Sequence, residues 1–223
     1  MTDLTLYIGN KNYSSWSLRP WLALKHAGAR FDEILIPLDQ PDTPELLRRH
    51  SPSRRVPVLR QGALIVWESQ AICEYIAELF PAARLWPEDR ETRALARAVA
   101  NEIHGGFGEM RRYLPMDIRN RWPLGERLKT AQADADRATQ IWRDCRDRYG
   151  SRGAHGPGPY LFGEFTIADA MFAPVTTRFV TYGVPLDPIS VDYVAAIAAH
   201  PAMKEWTAAA KAEPWTIEED AHK

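Results

Sequence analysis

Arg55-Val56-Pro57-Val58-Leu59-Arg60-Gln61-Gly62-Ala63-Leu64-Ile65-Val66-Trp67-Glu68-Ser69-Gln70-Ala71-Ile72 is the stretch whose reading decides the fold. Residues 56–60 and 63–67 are short, β-rich runs, and Gln61-Gly62 between them has hairpin spacing. The second run passes straight into a helix over residues 69–80, with Ile72, Ile76 and Leu79 on one face. This is a ββα unit. Upstream, Leu4-Thr5-Leu6-Tyr7-Ile8 reads as a strand, and residues 18–27 as a helix stopped by Gly28. Residues 31–38 form a second strand. Thr43-Pro44-Glu45 then supplies an N-cap, a first-turn proline and an acid, which opens a short helix. The order βαβα followed by ββα makes a small α/β layer domain over residues 1–80.

The texture changes after Pro81. Residues 81–90 read as a linker and residues 91–223 as an all-helical domain. Leu95, Val99, Ile103, Phe107, Met110 and Leu114 recur at steps of four and three, which predicts one continuous helix. Leu128, Ala131, Ala135, Ala138, Trp142, Cys145 and Tyr149 repeat the pattern before Gly150 ends it. Residues 151–159 form a Gly/Pro loop. Thr166-Ile167-Ala168-Asp169 opens a further helix with a capping box in which Asp stands for the usual Glu. Two more helices begin near Ser190 and Pro201.

Composition narrows the function. The 223 residues are 45% hydrophobic and 26% charged, as expected of a globular protein rather than a disordered one. No apolar run approaches the roughly 18 residues a membrane span needs. Lys and Arg number 28 against 29 Asp and Glu, and residues 1–80 carry nine of each sign. Neither part has the basic excess that attracts a phosphate backbone, so nucleic acid is not the expected partner. Cys73 and Cys145 are too few for a disulfide framework or a thiolate zinc site, and both lie on apolar helical faces. A reducing, cytoplasmic setting without a bound metal is expected.

Four local features occur in order: Ser14-Ser15-Trp16-Ser17-Leu18-Arg19, Arg55-Val56-Pro57-Val58-Leu59, Trp67-Glu68-Ser69-Gln70-Ala71-Ile72, and Thr166-Ile167-Ala168-Asp169-Ala170 after Gly163. At these separations the chain resembles the cytosolic glutathione S-transferases over essentially its whole length. The serine stretch is similar to the serine-type theta and zeta classes. Trp16 stands where zeta proteins carry cysteine, and Pro20-Trp21 where Val-Arg is usual. The resemblance implies a thioredoxin-like N-terminal domain followed by an all-helical one, homodimers, and glutathione as co-substrate with no metal. It implies transfer to a small, electrophilic, largely apolar acceptor. The alternatives are a glutathione-dependent isomerase of the maleylacetoacetate type, a peroxidase, or a non-catalytic interaction protein on the same fold.

A free thiol titrates near ~8.5, so neutral glutathione is mostly the unreactive form. A hydroxyl donating to the sulfur at a helix N-terminus adds a hydrogen bond and a favourable dipole. By resemblance Ser14 is that group, with Ser15 and Ser17 as substitutes; all three could instead only cap the helix. Val56-Pro57 resembles the family's cis-proline step, whose backbone pairs with the tripeptide as an added strand would. Glu68 and Ser69 resemble the γ-glutamyl clamp, Ser69 at a helix N-terminus and Glu68 facing the α-ammonium. Arg55 lies where it could reach the glycyl carboxylate.

For the acceptor site the candidates are Phe107, Arg111 and Tyr113, with Phe107 and Met110 also fitting the core. Gly105, Gly106 and Gly108 are costly inside a helix, at about 1 kcal/mol each, and suggest close approach by another backbone or a ligand. His104 has no partner at metal-ligand spacing and reads as a surface or packing residue. Thr166 and Asp169 read as structural.

Overall fold

A computed structural model describes residues 3–151, 153 and 156–217. Four strands form one sheet in the order β2-β1-β3-β4: β1 (Leu4–Ile8), β2 (Asp32–Leu35), β3 (Val58–Gln61) and β4 (Leu64–Val66). β2 runs parallel to β1, while β3 and β4 are antiparallel to their neighbours. Alternation along β1 sends Leu4, Leu6 and Ile8 to the large core, whereas Tyr7 joins Ile36 and Val58 in a second cluster. Helices α1 (Ser15–His26) and α3 (Ser69–Leu79) pack on the first face. Leu46 and Leu47 of α2 (Thr43–His50) cover the second.

A 3₁₀ turn at Pro81–Ala83 leads to α4 (Arg90–Gly105), α5 (Gly108–Tyr113), α6 (Arg127–Tyr149), α7 (Ile167–Tyr182), α8 (Pro188–Ala199) and α9 (Pro201–Ala212). Fourteen of the sixteen α7 residues are buried, because helices surround it and α1 packs against it. Trp21 of α1 meets Trp206 of α9 edge-on, with ring centroids 5.0 Å apart. One hydrophobic cluster therefore runs from β1 through α1 into α7 and α9.

Several expected boundaries shift for local reasons. The second strand spans four residues, not 31–38, because Pro37 follows and only Ile36 N–H still reaches Ile8 O. The third strand starts at Val58, after the cis Val56–Pro57 bond. Helix α1 begins at Ser15 rather than Leu18, and Ser14, not Ser17, is its cap. Asp42 precedes α2, so Thr43 is its first residue and not its cap; its hydroxyl donates instead to Pro37 O. Glu68 occupies the N-cap position of α3.

The larger correction is the helix expected over residues 95–114, which breaks in the middle. Helix α4 ends at Gly105, Phe107 takes left-handed φ +62°, and α5 restarts at Gly108. The Arg111 side chain folds back onto the carbonyls of Ile103, His104 and Gly106, and so satisfies the end of α4. The glycines mark the end of one helix and the start of the next rather than a close approach inside a helix. Among residues 151–159, positions 152, 154 and 155 lie outside the described residues. Gly163, which precedes the capping box, has φ +87°, and a Cβ there would fall 2.6 Å from Gly153 N.

Candidate active site

The first α/β turn delivers the serines. The Ser14 side chain accepts from Ser17 N–H at 3.3 Å, which caps α1, and donates to Ser17 Oγ at 2.7 Å. Ser17 Oγ in turn accepts from Gly9 N–H at 3.0 Å. Ser15 Oγ accepts from Arg178 Nη2 at 3.1 Å, and Arg178 Nη1 donates to Leu114 O at 2.6 Å. Ser14 and Ser15 are 6% and 5% exposed, so both lie just under the surface at the dipole-positive end of a twelve-residue helix.

Beside them opens a cleft of about 430 Å³, lined by Trp16, Ser53, Arg55, Val56, Pro57, Trp67, Glu68, Ser69 and His104. Val56–Pro57 and Trp67–Glu68 are both cis. The cleft thus brings together all five residues expected to hold glutathione. Ser14 and Ser15 are covered next to Trp16 rather than among its walls. Ser69 Oγ and both polar atoms of the Gln70 side chain are buried without a hydrogen-bond partner at the start of α3. A buried hydroxyl and amide in that state favour a polar ligand at the helix N-terminus.

Of the acceptor candidates, Arg111 comes close and the other two do not. Phe107 is 7% exposed and belongs to the core. Tyr113 packs half-buried against the same core, near the Arg112 guanidinium. Arg111 lies over the Trp16 ring at 4.5 Å, and Arg19 over the same ring at 4.3 Å.

Trp16, Arg19, His104 and Arg178 are the residues that sequence reasoning missed. Arg19 is 1% exposed, and its Nε and Nη1 have no partner among the described residues. Burial pushes its pKa well down, with Arg111 and Arg178 adding like-charge repulsion, yet a guanidinium stays protonated. The spacing of three between Trp16 and Arg19 on one helix could have signalled their contact. His104 is not a lone packing residue: its Nε2 lies 2.6 Å from Glu68 Oε2, and its ring meets Trp16 edge-on at 5.1 Å. Burial raises the Glu68 pKa against the pull of Arg19, and burial lowers that of His104, helped by Arg19 and Arg111. No group of three or more metal-ligating side chains gathers among the described residues. Burial pushes the Cys73 thiol up, and Cys145 up to about 12, which leaves both unreactive.

The sequence profile of the glutathione S-transferase N-terminal domain matches residues 13–79, and that of the C-terminal domain matches residues 93–209. The chain belongs to the glutathione S-transferase family. A solved glutathione transferase homolog from Burkholderia, with bound glutathione, is 30% identical, with a TM-score of 0.68 over 95% of this chain and 100% of that one. The maleylacetoacetate isomerase of Rattus norvegicus is 31% identical over 105 residues, 46% of this chain and 48% of that protein. The chain thus matches about half the length of the first such relatives. The maleylpyruvate isomerase of a Ralstonia species is 29% identical over 195 residues, 80% of this transferase-family chain and 86% of that enzyme. The mixed four-stranded sheet followed by helices is the thioredoxin-like plus helical arrangement of the family. Among its described residues, no helix is long and apolar enough to cross a membrane.

Proposed function

We propose that the cleft binds glutathione and that the protein is a glutathione transferase acting on a small electrophile. The observation that carries this reading is the unpartnered, buried Ser69 hydroxyl at the start of α3, beside the cis Val56–Pro57 edge. In this reading Ser69 and the first α3 amides take the γ-glutamyl carboxylate, and the Val56 backbone pairs with the cysteinyl residue. Arg55 faces the glycyl end. Glu68 takes the α-ammonium, for which it must leave His104.

The sulfur then lies toward the start of α1. The Ser14 hydroxyl turns from Ser17 to the sulfur, and the helix dipole and the buried Arg19 charge favour the thiolate. The thiolate sulfur forms a bond to the electrophilic carbon, the leaving group departs with its electron pair, and the thiol proton goes to solvent. The expected partners are glutathione and this electrophile, the protein acting as a homodimer in the cytoplasm.

A second reading is a glutathione-dependent isomerase, favoured by the Ralstonia relative, which aligns over most of both chains. There the thiolate would add to a conjugated double bond, allow rotation, and leave again unchanged. Both readings share Ser14 as activator. Ser14→Ala should keep glutathione affinity within about threefold while the bound-thiol pKa rises toward ~8.5. Thiolate absorbance across pH reads this directly, and an unchanged pKa in the variant removes Ser14 from the role.

A further inference from the structure

The turn that leads into Ser14 is held largely by groups from the far end of the chain. Lys11 N–H donates to Glu213 Oε1 at 2.7 Å and Asn12 N–H to Glu213 Oε2 at 3.1 Å, so one carboxylate receives two consecutive amides. Successive amides converging on an anion form a strong, directional seat, and hydrogen bonds to an ionised group are roughly twice as strong as neutral ones. Glu213 follows directly on α9 and lies beyond residue 209, where the match to the C-terminal profile ends.

Arg119 locks the arrangement from behind. Its Nη1 donates to Glu213 O at 2.7 Å, and its Nη2 to Trp215 O at 2.7 Å and to the Tyr13 hydroxyl at 3.0 Å. Its own N–H donates to Asn12 Oδ1 at 2.8 Å, while Asn12 Nδ2 donates to Asp117 Oδ1 at 2.8 Å. Trp206 Nε1 donates to Lys11 O at 2.9 Å. Asn12 is fully buried in this network. From the same turn, the amides of Tyr13 and Ser14 both donate to Asn10 O, at 3.1 and 2.7 Å. The position of Ser14 is thus set by a turn whose outer amides end on Glu213.

We propose that Glu213, backed by Arg119, is a positioning residue for thiol activation: its carboxylate fixes the Lys11–Asn12 turn and thereby the place of the Ser14 hydroxyl. The proposal rests on the reading of Ser14 as activator. It needs a carboxylate and not merely a side chain of that length. In Glu213→Gln one acceptor oxygen becomes an amino group facing a backbone N–H, so one bond becomes a donor–donor clash.

The test uses the full chain and glutathione itself. Glu213→Gln should raise the bound-thiol pKa by about one unit and lower kcat toward an aryl halide about tenfold, below the wild-type thiol pKa. KM for glutathione should move less than about threefold, since the cleft itself is untouched. Arg119→Met releases the same turn from its other side and should shift the thiol pKa in the same direction; it decides the matter if Glu213→Gln does not fold. An unchanged thiol pKa and kcat in the folded variant, even with a lowered melting temperature, overturns the proposal and leaves Glu213 as an anchor of the C-terminal segment. A wild-type bound thiol near ~8.5 overturns the serine reading, and this proposal with it.

Discussion

Arg19 is a costly side chain near the cleft: a cation almost out of solvent, with two nitrogens unpaired among the described residues and its guanidinium against the Trp16 face. Taking a charge out of water is costly enough that even buried ion pairs can often be replaced by apolar groups of similar volume at no loss, or with a gain of about 1–4 kcal/mol. Arg19→Met should therefore melt at the same temperature as the wild type or higher. It should also leave Glu68 with a higher pKa, since the attraction of Arg19 now opposes the effect of burial there. Calorimetry checks the first, and a clear loss of stability would mean that the guanidinium is better satisfied than its geometry indicates. The same residue shows what could be read in advance. Ser14, Val56-Pro57 and Glu68-Ser69 could be named as candidates because each is a local motif at an element boundary. Arg19 stood within a quoted motif, yet nothing in one dimension says that it is buried. His104 and Arg178 reach the site from α4 and α7 by tertiary packing, which no periodicity encodes.

Among the elements, α7 has its start fixed by a single side chain. Asp169 accepts from Leu161 N–H, Thr166 N–H, the Thr166 hydroxyl and the Tyr193 hydroxyl, all at 2.8–3.1 Å. Asp169→Ala leaves buried donors unpaired and should cost at least about 3 kcal/mol, seen as a lower denaturant midpoint at unchanged slope. A midpoint within error of the wild type would contradict the capping account. This helix was readable because a capping box announces its own start. The α4–α5 break was not. Phe107, Met110 and Leu114 all face the core, so the apolar rhythm carries on across an interruption of the helix. Three glycines within four positions were the contrary signal, and their sense was a break.

For the molecule as a whole, two buried groups give acid stability opposite slopes. Burial, together with the neighbouring His26 ring, lowers the His200 pKa to about 4. As pH falls from ~6.5 toward that value, the unfolded chain gains a proton that the native protein lacks, and stability drops. Burial raises Asp169 to about 6. Its contribution is full below its unfolded pKa of ~3.9 and is lost as pH rises through the native value. His200→Asn should flatten the acid-side fall in melting temperature, and Asp169→Asn should steepen it, in melts between about pH 4 and 7. Identical slopes in both variants would refute these assignments.

The Glu213 clasp also imposes an order of events on a growing chain. Residues 11 and 213 must meet before the turn ahead of Ser14 has its full set of hydrogen bonds. At about 5–20 residues per second, the ribosome needs roughly 10–40 s between making the two. The first domain can collapse during that interval, but the serine turn waits for the segment after α9 to emerge. The turn ahead of Ser14 would then gain its full set of hydrogen bonds only after residue 213 has been made, so translation itself sets the earliest moment at which that turn is complete.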